Sequence, residues 1–480
     1  MTVVFVTMVG GNIETSMTID KDLAGAIAAN RFGLGARPGE IDAARSDPQG
    51  WLAAQIRSQG ADPIRPDMPA SSVRLVEYRD LQKTRREARA ADAMASGATA
   101  PDPVKQVQQM IRRDAGADFV LRLKLGGETD ASFRERWALF WANHFTVSAA
   151  KVVTATLIGP FEQEAIRPHV FGRFEDMLAA TSSHPAMLLY LDQAQSIGPD
   201  SKAAVYLQRL GKDGGLNENL GREILELHTV GVDAGYTQAD VTEFARALTG
   251  WSVGGLADPD AGRFRFRDAA HEPGARRVMG RRYPEAGYDQ ARWVLRDLAA
   301  NPHTARRLAR KIAVHFVSDE PPTSLVDRLE TAWRASGGDL ATVARALVQA
   351  PESWSAAPAK FKTPYEFMVS AWRATGRGPQ DLAALGPSLS AMGQRPFSAP
   401  SPKGWPEEAS AWCAPDGIVK RMAWAESYSA AAVGERDPVQ LAQAALGAGL
   451  APLTARTIGR AESRGEGLSI LLMSPEFQRR

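Results

Sequence analysis

One cysteine, Cys413, is all that 480 residues contain, which excludes an internal disulfide framework, a multi-cysteine zinc site and a cysteine-ligated iron–sulfur cluster held by one chain. Beside Trp412 it reads as a buried small hydrophobe rather than a nucleophile. No apolar run reaches the roughly 18 residues of a membrane span, so no transmembrane segment is expected. An excess of either charge is missing as well: 57 Lys and Arg against 55 Asp and Glu leave +2. That balance predicts neither a nucleic-acid partner nor an acidic disordered chain. Two familiar signatures are absent too: there is no H-E-x-x-H, and Gly211-Lys212 is followed by Asp213 where a phosphate-binding loop needs Ser or Thr. Gly33-Leu-Gly35 follows an Ala-rich helical stretch, not a strand, and is rejected as a dinucleotide loop. No repeat at a fixed period suggests a solenoid.

Met1 to Gly10 is apolar, but no Lys or Arg precedes it and Glu14 arrives early, a poor secretory signal. Residues 1–16 are therefore expected to be a non-native or disordered extension, with Met17 opening the folded protein. A cytoplasmic location is the default expectation, and export with a partner stays open.

What the chain has in quantity is helix starts, since a side-chain oxygen before a first turn satisfies N–H groups that otherwise lack partners. Ser132 with Glu135, Thr237 with Asp240 and Thr363-Pro364 with Glu366 have capping-box spacing. Asn301-Pro302, Asp437-Pro438 and His184-Pro185 open helices of the same kind. Strand character is confined to Arg263-Phe-Arg-Phe-Arg267, which alternates with period two, and to Arg277-Val278-Met279 after a Pro-Gly turn. The expected fold is mainly α: a large multi-helix domain, 17–359, with a small inserted β-ribbon near 263–283, and a C-terminal helical portion, 360–480, packed on it. Proline and glycine place loops at 60–72, 253–262 and 394–407. The Ala/Arg-rich stretch 85–104 reads as a solvated helix or a mobile insertion.

Several spaced segments are recognisable together: Ala28-Ala-Asn-Arg-Phe-Gly-Leu-Gly35, Trp137-x3-Trp141-Ala-Asn-His144-Phe, Asn217-Glu-Asn-x2-Arg222-Glu223-x2-Glu226-Leu-His-Thr-x-Gly231, Ala247-Leu-Thr-Gly-Trp251, Lys362-Thr-Pro-Tyr-Glu366-Phe and Pro402-x-Gly-Trp405. In this order, over about 24–478, the chain resembles the bacterial family called domain of unknown function 1800. The resemblance implies a largely helical protein, and a partner from the domain of unknown function 1501 family, whose members resemble exported sulfatases or phosphatases. It carries no established catalytic residues. His271-Glu-Pro-Gly departs from the family's His-Asp-Pro-Gly at Glu272.

On a helical wheel Asn219, Arg222, Glu223 and Glu226 share one stripe and Leu220, Ile224 and Leu227 another. Glu223 and Glu226 could act as an acid/base pair or ligate a divalent cation such as Mn, Mg or Ca, with Arg222, Asn219 and Asn217 holding an anionic substrate. The bland alternative is a solvated face with an Arg222–Glu226 pair. Trp137, Trp141 and His144, at i, i+4 and i+7, place His144 beside indoles as a neutral base or as a core histidine. His271, in the ribbon's turn, is the other imidazole candidate, or simply an exposed turn residue. Seven arginines between 263 and 282 could grip an anion, but with 45 Arg to 12 Lys arginine is this chain's default cation. His169, His184, His303 and His315 show no ligand spacing. Two functions follow: a hydrolytic or metal-assisted enzyme built on the 217–230 helix, or a non-catalytic partner protein docking through exposed Trp405 and Trp412.

Overall fold

The computed structural model of the protein describes residues 20–92, 109–378 and 384–480. The expected extension 1–16 lies outside them, as does 93–104 of the proposed insertion. The start of that insertion, 85–92, belongs to the long helix Ser71–Asp92.

Helices carry the architecture, and the local signals place many of them. Helix α1 is Ser132–His144. Helix α2, Asn219–Glu223, continues as one π-helical turn, Ile224–His228. Helix α3, Gln238–Leu248, opens on the Thr237/Asp240 capping box. Helix α4, Pro302–Phe316, is capped by Asn301. Helix α5, Pro364–Thr375, opens on the Thr363/Glu366 box with Pro364 in its first turn. Asp437 and His184 cap their helices as well, by accepting from Val439 N–H and Ala186 N–H.

The Ser132/Glu135 box is a correction. Ala131 takes the cap position, and the buried Ser132 hydroxyl has no hydrogen-bond partner among the described residues. Glu135 instead forms a buried bidentate pair with Arg167 at 2.8 and 2.9 Å. A carboxylate beside a buried guanidinium gains more there than from one backbone N–H, and it relieves a charge otherwise stranded in the core.

The β portion differs in detail from one ribbon over 263–283. Strand β1 (Trp251–Val253) pairs antiparallel with β2 (Phe264–Phe266), Trp251 opposite Phe266. Strands β3 (Arg276–Val278) and β4 (Arg281–Tyr283) form a second hairpin, turned by Met279 and Gly280 at φ +47° and +80°, which suits the right-handed strand twist. The alternation in 263–267 is real: Phe264 and Phe266 pack on Tyr288, with Trp251 also against Phe264. Its partner strand was hidden, because Trp251-Ser-Val is too short to alternate.

One continuous hydrophobic core runs from Ile27 to Phe477. At its centre Phe32, Phe133, Trp137, Trp141 and Phe316 meet ring to ring at 5.7–6.3 Å. Buried ion pairs stitch distant segments around it. Glu366 on α5 accepts from Arg136 on α1 and from Arg480 at 3.0 Å. Arg373 holds Glu40 at 2.8 Å and the Gly35 carbonyl at 2.7 Å. The Gly33-Leu-Gly35 segment is thus a close backbone passage against α5: the Ser370 hydroxyl donates to the Leu34 carbonyl at 2.9 Å, and a Cβ on Gly35 would press on that side chain.

Candidate active site

Helices α1 and α4 and the loop 400–408 enclose a cavity of about 510 Å³, within the usual size range of small-molecule sites. On α4 the residues Arg307, Arg310, Lys311, Val314 and His315 recur at the spacing of one face, while Leu308, Ile312, Ala313 and Phe316 are buried in the core. The outer face turns toward the C-terminal end of α1, where His144 sits.

His144 has fixed partners on both ring nitrogens. Its Nε2 lies 3.2 Å from the His228 carbonyl oxygen, the last residue of the π turn after α2. A carbonyl only accepts, so Nε2 carries the proton and Nδ1 presents a lone pair. Lys311 Nζ donates to that Nδ1 at 3.0 Å. The ring is walled by Trp141, Phe145 and Phe140, with centroids 5.5, 4.6 and 6.4 Å away, so of the two indoles expected beside it Trp141 is the one in contact. Burial, and then the charges of Lys311, His228 and Arg307, hold the imidazole well below the ordinary histidine range. His228 is pushed down to about 3, again by burial and then Lys311.

The same surroundings act on the amine. Burial and the adjoining Arg307 push Lys311 down to about 7, although Glu407 pulls the other way. An ammonium loses hydration in this niche and gains no ion pair in return. Lys151, Lys202, Lys360 and Lys420 all have a carboxylate partner. Among the described residues Lys311 has none, and neither do Arg307, Arg310 or Lys403, which line the same cavity. Of the acids on its wall, Asp319 is taken by Lys360 and Glu407 by His315, at 2.9 Å from Nδ1; Glu408 stands at the rim. Burial would raise Glu407, but His315, Lys360 and Arg480 bring it down to about 2. The acids near the cleft therefore leave its cations largely uncompensated.

Asn143, next to His144, ties the loop down. Its amide donates to the Trp405 carbonyl at 3.0 Å and accepts from the Trp405 N–H at 2.7 Å. Gly404, at φ +87°, lies so close that a Cβ would collide with the Asn143 carbonyl oxygen. A smaller cavity of about 110 Å³ lies behind, sharing Asn143, Trp405, Pro406 and Glu407.

The residues expected from sequence are divided by this geometry. His144 is in the cleft. Glu223 and Glu226 are half-buried, and their carboxylates make no hydrogen bond to an imidazole among the described residues; the 217–230 segment reaches His144 through a backbone carbonyl instead. Burial and Glu226 raise the Glu223 carboxyl. Glu223 in turn helps burial push Tyr190 up to about 12. Glu226 supports the charge of Arg307 on the cleft wall. Arg222 pairs not with Glu226 but with Glu218, at 2.9 Å, and with Gln238, because the π turn that starts at Ile224 shifts the following residues out of α-helical register. Asn217, one residue before the Glu218 cap position of α2, accepts from the Asn219 N–H at 2.8 Å, and Asn219 is exposed.

His271 is neither an exposed turn residue nor part of the cleft. It is buried against Phe266, with Nδ1 2.9 Å from the Thr249 carbonyl oxygen. Among the described residues no group of three or more His, Cys, Asp or Glu side chains is placed to hold a metal ion, so Glu223 and Glu226 lack a third ligand there. Cys413 is exposed, contrary to expectation. Trp412 is buried, its indole N–H bonded to the Pro406 carbonyl, and Trp405 is half-buried against it at 5.9 Å. Neither Trp405 nor Trp412 is therefore exposed as the docking expectation had them. No described helix is long and apolar enough to cross a membrane.

Lys311, Arg307, Asn143 and Glu407 were not anticipated. The spacing Arg307, Lys311, His315 was readable as one helix face, but nothing local showed that it opposes His144. A family model described as protein of unknown function (DUF1800) matches residues 27–479. No curated protein and no solved structure matches the chain.

Proposed function

Since the chain belongs to the DUF1800 family, whose description assigns no activity, the chemistry rests on its own side chains, and we propose that it is an enzyme acting on a small anionic molecule in the cleft between α1, α4 and loop 400–408. The observation that carries this reading is the Lys311–His144 contact of 3.0 Å in a cavity whose cations Arg307, Arg310 and Lys403 have no ion-pair partners among the described residues. Guanidinium groups without an ion pair attract and orient an anion; Arg307 commits Nη1 to the Leu227 and Thr229 carbonyls, which fixes the rest of its guanidinium in place. A lysine next to other cations and partly withdrawn from water is deprotonated more readily than on a surface, so its lone pair can serve as base or nucleophile. His144 holds the amine through Nδ1 and offers its lone pair there as a proton acceptor, while its Nε2 proton is committed to the His228 carbonyl. Glu226 supports Arg307 from behind, giving the acidic ridge of 217–230 an indirect role in the same site.

Amine reactivity tests this directly. With trinitrobenzenesulfonate across a pH series and peptide mass spectrometry, Lys311 is expected to react with a midpoint near 7, and inorganic phosphate is expected to protect it. A Lys311 that titrates with the surface lysines and gains no protection refutes the reading.

A further inference from the structure

We propose that Lys311 forms an imine with the carbonyl carbon of a small 2-oxo carboxylic acid, whose carboxylate is taken by Arg307 and Arg310; this rests on the enzymatic reading of the cleft above. Three features favour covalent use of the amine over simple proton abstraction. First, Lys311 is bonded to a lone pair, not to a carboxylate, so an acceptor stands ready for the proton that an attacking amine must lose. Second, planar guanidinium groups match a carboxylate in two-point geometry, and both lie on the same helix face as the amine, at i−4 and i−1. Third, Phe140, Leu227, Val314 and Trp405 contribute apolar surface to the cavity, which favours a step that expels water.

The chemistry balances within these groups. The Nζ lone pair attacks the carbonyl carbon, a C–N bond forms, and the C=O π pair moves onto oxygen; one Nζ proton passes by way of His144 Nδ1 to that oxygen, giving a carbinolamine. The nitrogen lone pair then expels the hydroxyl while the second Nζ proton follows the same route, so the oxygen leaves as water carrying both former Nζ protons and the C=N bond is complete. The net change is amine plus ketone giving imine plus water, and no oxidant or further reactant is needed. The weak basicity of the buried His144 favours passing each proton on.

The test uses the full chain with pyruvate and cyanoborohydride, which fixes an imine as a stable secondary amine, followed by peptide mass spectrometry. A saturable adduct confined to Lys311 is expected, lost in Lys311→Arg and diminished by inorganic phosphate. Arg310 is exposed, so Arg310→Ala should fold normally and raise the pyruvate concentration for half-labelling roughly tenfold through loss of one charge-assisted contact. Adducts spread over surface lysines in proportion to exposure, or acetone labelling Lys311 as readily as pyruvate, overturn the inference. If Lys311 reacts with trinitrobenzenesulfonate near pH 7 under phosphate protection yet gives no pyruvate adduct, the imine falls while the anion-binding amine stands; if it does neither, both fall.

Discussion

Replacing Lys311 with methionine should make the protein more stable in mild acid, which is the opposite of what most substitutions of a half-buried, hydrogen-bonded residue do. The folded amine titrates at about 7 against an ordinary 10.5, a difference equivalent to about 5 kcal/mol at ~1.36 kcal/mol per pK unit. The side chain is partly exposed, and solvent screening reduces the realised penalty to about 2 kcal/mol. Its sign follows from linkage. Below the folded pKa both states hold the proton and the fold carries the whole penalty. Between 7 and 10.5 the folded amine is neutral while the unfolded one is charged, so the penalty shrinks as pH rises. Methionine keeps the length and apolar stem, but it forfeits the hydrogen bond to His144, worth about 1 kcal/mol. Lys311→Met should therefore gain about 1 kcal/mol at pH 6, and the gain should fade to nothing near pH 9. Urea unfolding of both proteins at those two pH values, compared at equal m-value, measures it. A variant that is less stable at pH 6 and relatively better at pH 9 would show that the fold favours the ammonium, and the account of this cleft would be wrong.

Glu366→Gln removes the carboxylate charge that links Arg136 and Arg480; leaving two buried guanidinium groups without it should cost about 3–5 kcal/mol, read as a lowered urea midpoint. The neighbouring arginines hold the wild-type Glu366 carboxyl well below 4.5 despite its burial. Its contribution is thus complete above about pH 4.5 and is lost as pH falls toward the folded pKa, so acid unfolding of Glu366→Gln should be less steep than that of the parent. Gly404→Ala imposes a left-handed conformation on a residue with a side chain and drives it into the Asn143 carbonyl. A loss of about 2–3 kcal/mol is expected, with a shift in tryptophan emission as Trp405 leaves its place; an unchanged melting curve and spectrum would show that the loop does not need Asn143.

Legibility followed distance along the chain. The boxes at Thr237/Asp240 and Thr363/Glu366, the Asn301 and Asp437 caps and the shared face of Trp137, Trp141 and His144 each depend on atoms within a few residues, so helical geometry alone brings them together. The spacing of apolar residues fixed the mainly α character in the same way, and period-two alternation marked β2. Where a long-range partner offered more, the local reading gave way, as Glu135 turned to Arg167; at Arg222 one local pair replaced another, since the π turn after Glu223 left it with Glu218, four residues back. The candidate site belongs wholly to that second kind. Lys311 and His144 are 167 positions apart, and Asn143 and Trp405 are 262 apart, so no periodicity announces either contact. The residue types and helix faces were set by the amino-acid order. Which faces oppose one another, and hence which amine is stripped of water, was decided by packing, because proton affinity depends on the groups and solvent surrounding a side chain in space.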